Sequence, residues 1–168
     1  MKNKIDLCIG LLAISLFVLG CQQEANSNKG AEETPTLLQT TLPGTWEAVS
    51  IKVSLTTVDS TEVDSLFEVS EEYWVQKFSI KPVTTIFQPD NKFRQEFRNS
   101  QDSMLNEVKG IWNVFGDTLM LIEPNATYTY LVDVSKGLIT FNATLDWDGD
   151  GATDDLYQGV HRKISSSY

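Results

Sequence analysis

The chain has 168 residues and a formal net charge of −10 at pH 7, with no cluster of basic residues. That balance disfavours both nucleic-acid binding and attraction to anionic lipid head groups, so no nucleic-acid partner is expected. Its two cysteines, Cys8 and Cys21, both lie near the start, so any domain beyond them is held by a packed core and not by disulfides.

Lys2 and Lys4 open the chain, and an apolar run follows from Leu7 to Leu19. The run is shorter than a spanning helix needs and sits where a secretion signal sits. It ends Val18-Leu19-Gly20-Cys21, which resembles the lipobox of bacterial lipoproteins. The resemblance implies a signal peptide over residues 1–20 and acylation of Cys21. The membrane is then reached through this N-terminal acyl anchor, whose buried methylenes replace a spanning helix. Gln22 and Gln23 are not the aspartate associated with inner-membrane retention in some bacteria. The expected address is therefore the cell envelope, as an outer-membrane lipoprotein on its periplasmic or surface-exposed face. Residues 21–41 are polar and turn-rich, which predicts a flexible tether with Leu37 and Leu38 as the residues able to pack on the domain.

Residues 42–168 read as one domain. In the first strand Val49, Ile51, Val53 and Leu55 alternate onto one face. Residues 56–81 interrupt the strand pattern. Within them Ser-Glu-Glu-Tyr-Trp-Val-Gln-Lys-Phe (70–78) reads as a short helix, Ser70 capping it and Trp74 and Phe78 on one side. The alternative is a loop with an extra edge strand. Two β-rich runs then flank Pro89-Asp90-Asn91, a hairpin signal. Phe93, Gln95 and Phe97 face one way there, and Lys92, Arg94, Glu96 and Arg98 the other. Further strands run through Val108 to Val114, Thr118 to Ile122, Tyr128 to Val132, Leu138 to Leu145 and Leu156 to Lys163, each bounded by turn residues. About eight short strands with short connections predict an all-β, antiparallel up-and-down barrel with one short helix.

Gly44-Thr45-Trp46 opening the first strand resembles the G-x-W signature of lipocalins. A second such triplet, Gly110-Ile111-Trp112, follows the hairpin, then Gly-Asp-Thr-Leu and a terminal Arg162-Lys163. This order is similar to the lipocalin-like lipoproteins of Bacteroidetes, and it implies a lipocalin or calycin-like barrel. In that family the tryptophan plugs the closed end and an arginine of the last strand packs over it, roles that fall to Trp46 and Arg162. The resemblance also implies a barrel interior able to carry a small apolar ligand, lined by Phe93, Gln95, Phe97, Trp112 and Phe141. The alternative is a barrel filled by these same side chains, acting as a structural or interaction lipoprotein. Either way the expected protein is a monomer.

No catalytic constellation is evident, so an enzyme is not expected. His161, the single histidine, reads as a surface residue, and neither G-x-S-x-G nor a zinc set is present. The strongest local chemistry is Leu-Asp-Trp-Asp-Gly-Asp-Gly-Ala-Thr-Asp-Asp-Leu-Tyr (145–157) between the last two strands. Asp146, Asp148, Asp150 and Asp154 fall at the first, third, fifth and ninth places of a calcium-loop pattern, with Gly151 at the tight turn. The Ala152 carbonyl would supply another ligand and Asp155 an extra one. Tyr157 stands where an EF-hand has its bidentate glutamate. The loop therefore looks more like the calcium loops that join strands in FG-GAP and thrombospondin type 3 repeats. A structural Ca2+ is one reading; the other is a polar turn whose Asp-Gly steps favour positive φ.

Overall fold

A computed structural model describes residues 35–56 and 65–168. The expected signal peptide, Cys21 and most of the expected tether lie outside these residues. Among the described residues, nine strands form one antiparallel sheet, and eight of them close into a barrel. The strands are β1 (Gly44–Leu55), β2 (Ser65–Ser70), β3 (Thr84–Phe87), β4 (Lys92–Arg98), β5 (Met104–Phe115), β6 (Thr118–Ile122), β7 (Thr127–Ser135), β8 (Leu138–Leu145) and β9 (Asp155–Ser165). From β3 to β9 each strand pairs with the next, and β1 closes the ring by pairing with both β3 and β9. The short connections between successive strands produce this up-and-down order.

β2 stands outside the ring. It pairs only with the second half of β1, Ser50 to Leu55, whereas β3 pairs with the first four residues, Gly44 to Glu47. The packing of the domain begins ahead of residue 42. A capped helix, α1 (Leu37–Thr41), follows Thr36, whose hydroxyl accepts from Gln39 N while Gln39 Oε1 accepts from Thr36 N. This is the reciprocal arrangement of a capping box. Leu38 and Leu42 are buried with Trp46, Phe87, Phe93 and Trp112 in the main core. That core fills one end of the barrel.

Between β2 and β3 the chain makes a single 3-10 turn, Glu71–Tyr73, and then the helix α2 (Trp74–Phe78). Residues 56–81 thus supply both an extra edge strand and a helix. Ser70 makes no capping hydrogen bond, and the helix is held by packing, with Trp74 and Phe78 rings 5.0 Å apart.

The single inward face expected for Val49, Ile51, Val53 and Leu55 needs correction. A bulge between Ala48 and Ser50 shifts the register of β1 against β9. An extra residue reverses the parity of everything before it. Trp46 and Ala48 are therefore buried, as is Val53, while Val49 is only half-buried. In β4 the alternation holds: Phe93 is buried, and Arg94, Glu96 and Arg98 form an ion-paired row, with Arg94 Nε and Arg98 Nη2 at 3.1 and 2.9 Å from Glu96.

Candidate functional site

The filled end is built around two indoles. Trp46 Nε1 donates to Leu42 O at 2.8 Å, and Trp112 Nε1 donates to Gln88 O at 3.0 Å. Both glycines of the G-x-W triplets have a steric reason. A Cβ on Gly110 would stand 2.2 Å from Ile122 O and 2.6 Å from the Phe93 ring, and one on Gly44 would meet Lys163 Cε at 2.7 Å. The missing side chains let Phe93 and Lys163 pass.

The closing cation is not the expected one. Trp46 pairs with Lys163 across the β1–β9 ladder, and Glu47 pairs with Arg162. Side chains alternate faces, so Lys163 turns inward and Arg162 outward. Lys163 Nζ lies 5.3 Å from the Trp46 ring centroid and donates to Thr41 O and Pro43 O, both at 2.8 Å. It therefore supplies the cation–π contact and ties the barrel to the C-terminal end of α1. Burial pushes the Lys163 amine down. Arg162 instead bridges Glu47 at 3.1 Å and Glu71 at 2.9 Å on the outer surface. Its hydrogen bond holds the Glu71 carboxyl below the usual range. In this position Arg162 fastens the segment leading into α2 to β1 and β9.

The other half of the barrel is hollow. A cavity of about 260 Å³ is lined by residues that include Trp74, Gln95, Phe97, Tyr130, Phe141, Tyr157 and His161. Three of the five expected ligand residues, Gln95, Phe97 and Phe141, are on this wall. Phe93 and Trp112 are not; they belong to the filled end, where Trp112 meets Phe87 edge-on at 6.1 Å. Gln95 Nε2 donates to Thr85 Oγ1 at 3.3 Å, so one polar pair is already satisfied within the wall.

His161 is the largest departure from expectation. It is 7% exposed and packs edge-on against Phe141 at 4.9 Å. Burial pushes the imidazole pKa down to about 4, so the ring is neutral near pH 7. Strand parity carries the signal that would have found it: Tyr157, Gly159, His161 and Lys163 alternate inward, and Leu156, Gln158, Arg162 and Ile164 are exposed. The apolar outward residues Leu156 and Ile164 conceal that parity. Burial pushes the hydroxyl pKa of Tyr157 up to about 12 and raises that of Tyr130 as well, so both are neutral donors.

The aspartate loop runs beside the cavity. Trp147 contributes to the cavity wall and stacks on Tyr157 at 5.6 Å, with Phe67 of β2 also against it at 6.0 Å. Carboxylate oxygens of Asp146, Asp148 and Asp150 lie within 4.8 Å of one another, all exposed, so this group could hold a metal ion. The same carboxylates accept backbone N–H groups: Gly149 and Gly151 donate to Asp146, Asp150 to Asp148, and Ala152 to Asp150. Gly149 and Gly151 take φ of 79° and 94°, values that favour glycine.

Two expected ligands do not join this group. Asp155 is buried, and its carboxylate accepts from Thr56 N at 3.0 Å, Trp147 N at 2.8 Å and Asp148 N at 3.3 Å. Burial alone would raise its pKa, but these three donors outweigh it and the net shift is downward. Its oxygens are spent on tying the loop to the end of β1, not offered to a cation. Asp154 lies outside the trio, and its carboxyl is raised by desolvation and by the neighbouring Asp150, Asp155 and Asp148. No protein-family model matches the sequence, and no curated protein matches it.

Proposed function

We propose that the protein is a lipocalin-like binding module, anchored to the outer membrane through Cys21, that holds a small apolar ligand in the hollow half of its barrel. The observation that carries this is the mostly apolar cavity of about 260 Å³ between α2, the aspartate loop and the inner faces of the strands. The lipocalin-like assignment draws support from the antiparallel ring closed by β1 and β9 and from the indole-plus-cation plug of Trp46 and Lys163. Chemistry on the ligand is not part of this reading: His161 is the one histidine, and among the described residues no Asp, Glu, Lys or Arg lines the cavity. The protein would act as a monomer at the cell envelope, without nucleic-acid partners.

The test is to purify the protein natively, extract it with organic solvent and identify co-purified compounds by mass spectrometry, beside Ala48→Leu. Ala48 lies opposite His161 in the β1–β9 ladder and on the cavity wall, so a larger side chain there takes up cavity space. A stoichiometric compound lost in a folded Ala48→Leu protein supports the reading. An empty extract from both, with no binding of added apolar probes, favours a structural or interaction lipoprotein. Mass spectrometry of the mature N-terminus tests the anchor: an unmodified start downstream of Cys21 rejects it.

A calcium ion on Asp146, Asp148 and Asp150 belongs to the same reading as a structural element. Hard oxygen donors at alternate positions suit such a cation, and its charge would relieve carboxylate repulsion beside Trp147. The Ala152 carbonyl and water would complete the coordination in place of Asp155.

A further inference from the structure

Among the described residues, two buried side-chain nitrogens have no hydrogen-bond partner, Trp74 Nε1 and His161 Nδ1, and no other buried side-chain nitrogen or oxygen lacks one. Both residues line the same cavity. Trp46 and Trp112, in the filled end, each give their indole N–H to a carbonyl. Buried polar groups are normally paired, because an unpaired one keeps its full desolvation cost. Two residues of one cavity wall thus carry nitrogens that nothing in the protein satisfies.

We infer that the cavity takes an uncharged, planar compound of one or two rings carrying a hydrogen-bond-accepting oxygen or nitrogen, with Trp74 and His161 as its polar contacts. This rests on the binding-module reading above and names its ligand class.

The absence of charge follows from the wall. Among the described residues none of the wall is Asp, Glu, Lys or Arg. A carboxylate or ammonium placed there would lose its hydration with no ion to compensate. His161 offers no positive charge near neutral pH, since burial keeps it unprotonated. Planarity follows from the rings: seven of the fourteen wall residues are Trp, Phe or Tyr, so flat ligand faces meet flat protein faces. Size follows from the volume, which is below the range of about 300–1,000 Å³ typical of drug-sized sites. A two-chain lipid does not fit. The two polar contacts are also held in place before any ligand arrives. Trp74 packs on Phe78 at 5.0 Å and His161 packs edge-on against Phe141 at 4.9 Å.

The experiment uses the full-length protein and three matched probes: 2-acetylnaphthalene, naphthalene and 2-naphthoate. They share a ring system and differ in having an acceptor, no acceptor or a charge. Affinities are measured by titration followed through tryptophan fluorescence and calorimetry. The expected result is that the ketone binds about tenfold more tightly than naphthalene, the factor one good hydrogen bond supplies, with naphthoate weakest. Trp74→Phe keeps an aromatic ring and removes the donor, so it should bring the ketone-to-naphthalene affinity ratio from about tenfold to about one, whatever it does to either affinity alone. His161→Phe is the second variant and should reduce the same advantage. Circular dichroism establishes that both variants are folded. If ketone and naphthalene bind equally and Trp74→Phe leaves their ratio unchanged, the ligand class is wrong while the binding reading stands. If naphthoate binds best, the uncharged assignment is overturned. If no probe binds, both this inference and the binding reading fall.

Discussion

The two ends of this barrel treat the same kinds of residue in opposite ways. At the filled end, two buried indoles and a lysine all find carbonyl partners, and large side chains pack against one another. At the hollow end, a buried indole and a buried imidazole have none, and the same wall surrounds a cavity. The contrast separates two uses of one sheet. Close packing and satisfied polar groups give a rigid stopper. Unsatisfied groups around a cavity lower stability and leave interactions for something else to make. Such a division predicts that equivalent mutations have unequal effects at the two ends.

The sharpest comparison is between tryptophans. Trp46→Ala should cost about 3–5 kcal/mol, because it opens a void in a filled core and strands the Leu42 carbonyl. Trp74→Ala should cost roughly 2 kcal/mol, since that ring already borders space and gives up no hydrogen bond. The conservative pair is more telling. Trp46→Phe should lose about 1 kcal/mol with its hydrogen bond, whereas Trp74→Phe should be neutral or stabilising because an unpaired donor disappears. Urea unfolding measures all four. Equal costs at the two positions would erase the distinction.

pH acts on the hollow end first. His161 has an ordinary pKa of 6.5, which burial lowers to about 4 in the folded protein. Between those values the unfolded chain binds more protons than the folded one. The stability associated with the neutral ring is therefore complete above pH 6.5, falls as pH drops toward 4 and changes no further below that. Across this window the loss amounts to roughly 3 kcal/mol. His161→Phe should flatten the profile there. Asp155 and Glu96 are held below their ordinary values, so they also lose their contribution as pH falls, and His161→Phe separates the imidazole's share from theirs. A wild-type protein equally stable at pH 7 and at about pH 4.5 would show that the imidazole is not buried as described.

Lys163 and Arg162 are neighbours with different work. Lys163→Ala removes two charge-assisted hydrogen bonds and the contact with Trp46, at a cost of about 2 kcal/mol. Arg162→Ala removes exposed ion pairs to Glu47 and Glu71, which water and salt screen, so global stability should change little. It should act instead on the hollow end, by loosening the segment that carries Trp74. Hydrogen exchange in residues 71–78 should rise in Arg162→Ala and not in Lys163→Ala. The reverse pattern would restore the arginine to the plug.

This pair also marks how far the sequence can be read. Strand spacing and turn residues are enough for the closed antiparallel barrel, because both depend on local chemistry that each segment carries by itself. Phe93, Gln95 and Phe97 alternate cleanly, and the register preserves it. The assignment of Arg162 fails by one residue, because which of two adjacent cations turns inward depends on pairing with a strand more than a hundred positions away. The bulge at Val49 has the same origin. Phe93 and Trp112 lie on the expected side of the sheet but at a different height, since nothing local says where a barrel stops being filled. His161 and Lys163 are legible only through the parity of β9, and exposed Leu156 and Ile164 obscure it.

Metal should have a small effect, and at one end only. Asp155 already ties the aspartate loop to Thr56 through backbone donors, so the loop has its shape without a cation. Calcium on Asp146, Asp148 and Asp150 would then add only its own binding energy. Extracellular sites of this kind have dissociation constants of about 0.1–1 mM. At ten times that concentration the folded state gains about 1.4 kcal/mol, or roughly 5 °C in Tm. Trp147 lies in the loop and stacks on Tyr157, so its fluorescence should change with the same calcium dependence. Asp148→Asn with Asp150→Asn should remove both effects, because the amides keep the turn-forming oxygens but lose the charge. Trp46 and the filled end should be indifferent throughout. A thermal shift that persists in the double variant would mean that calcium acts elsewhere on this acidic surface, and the loop would then be a turn and nothing more.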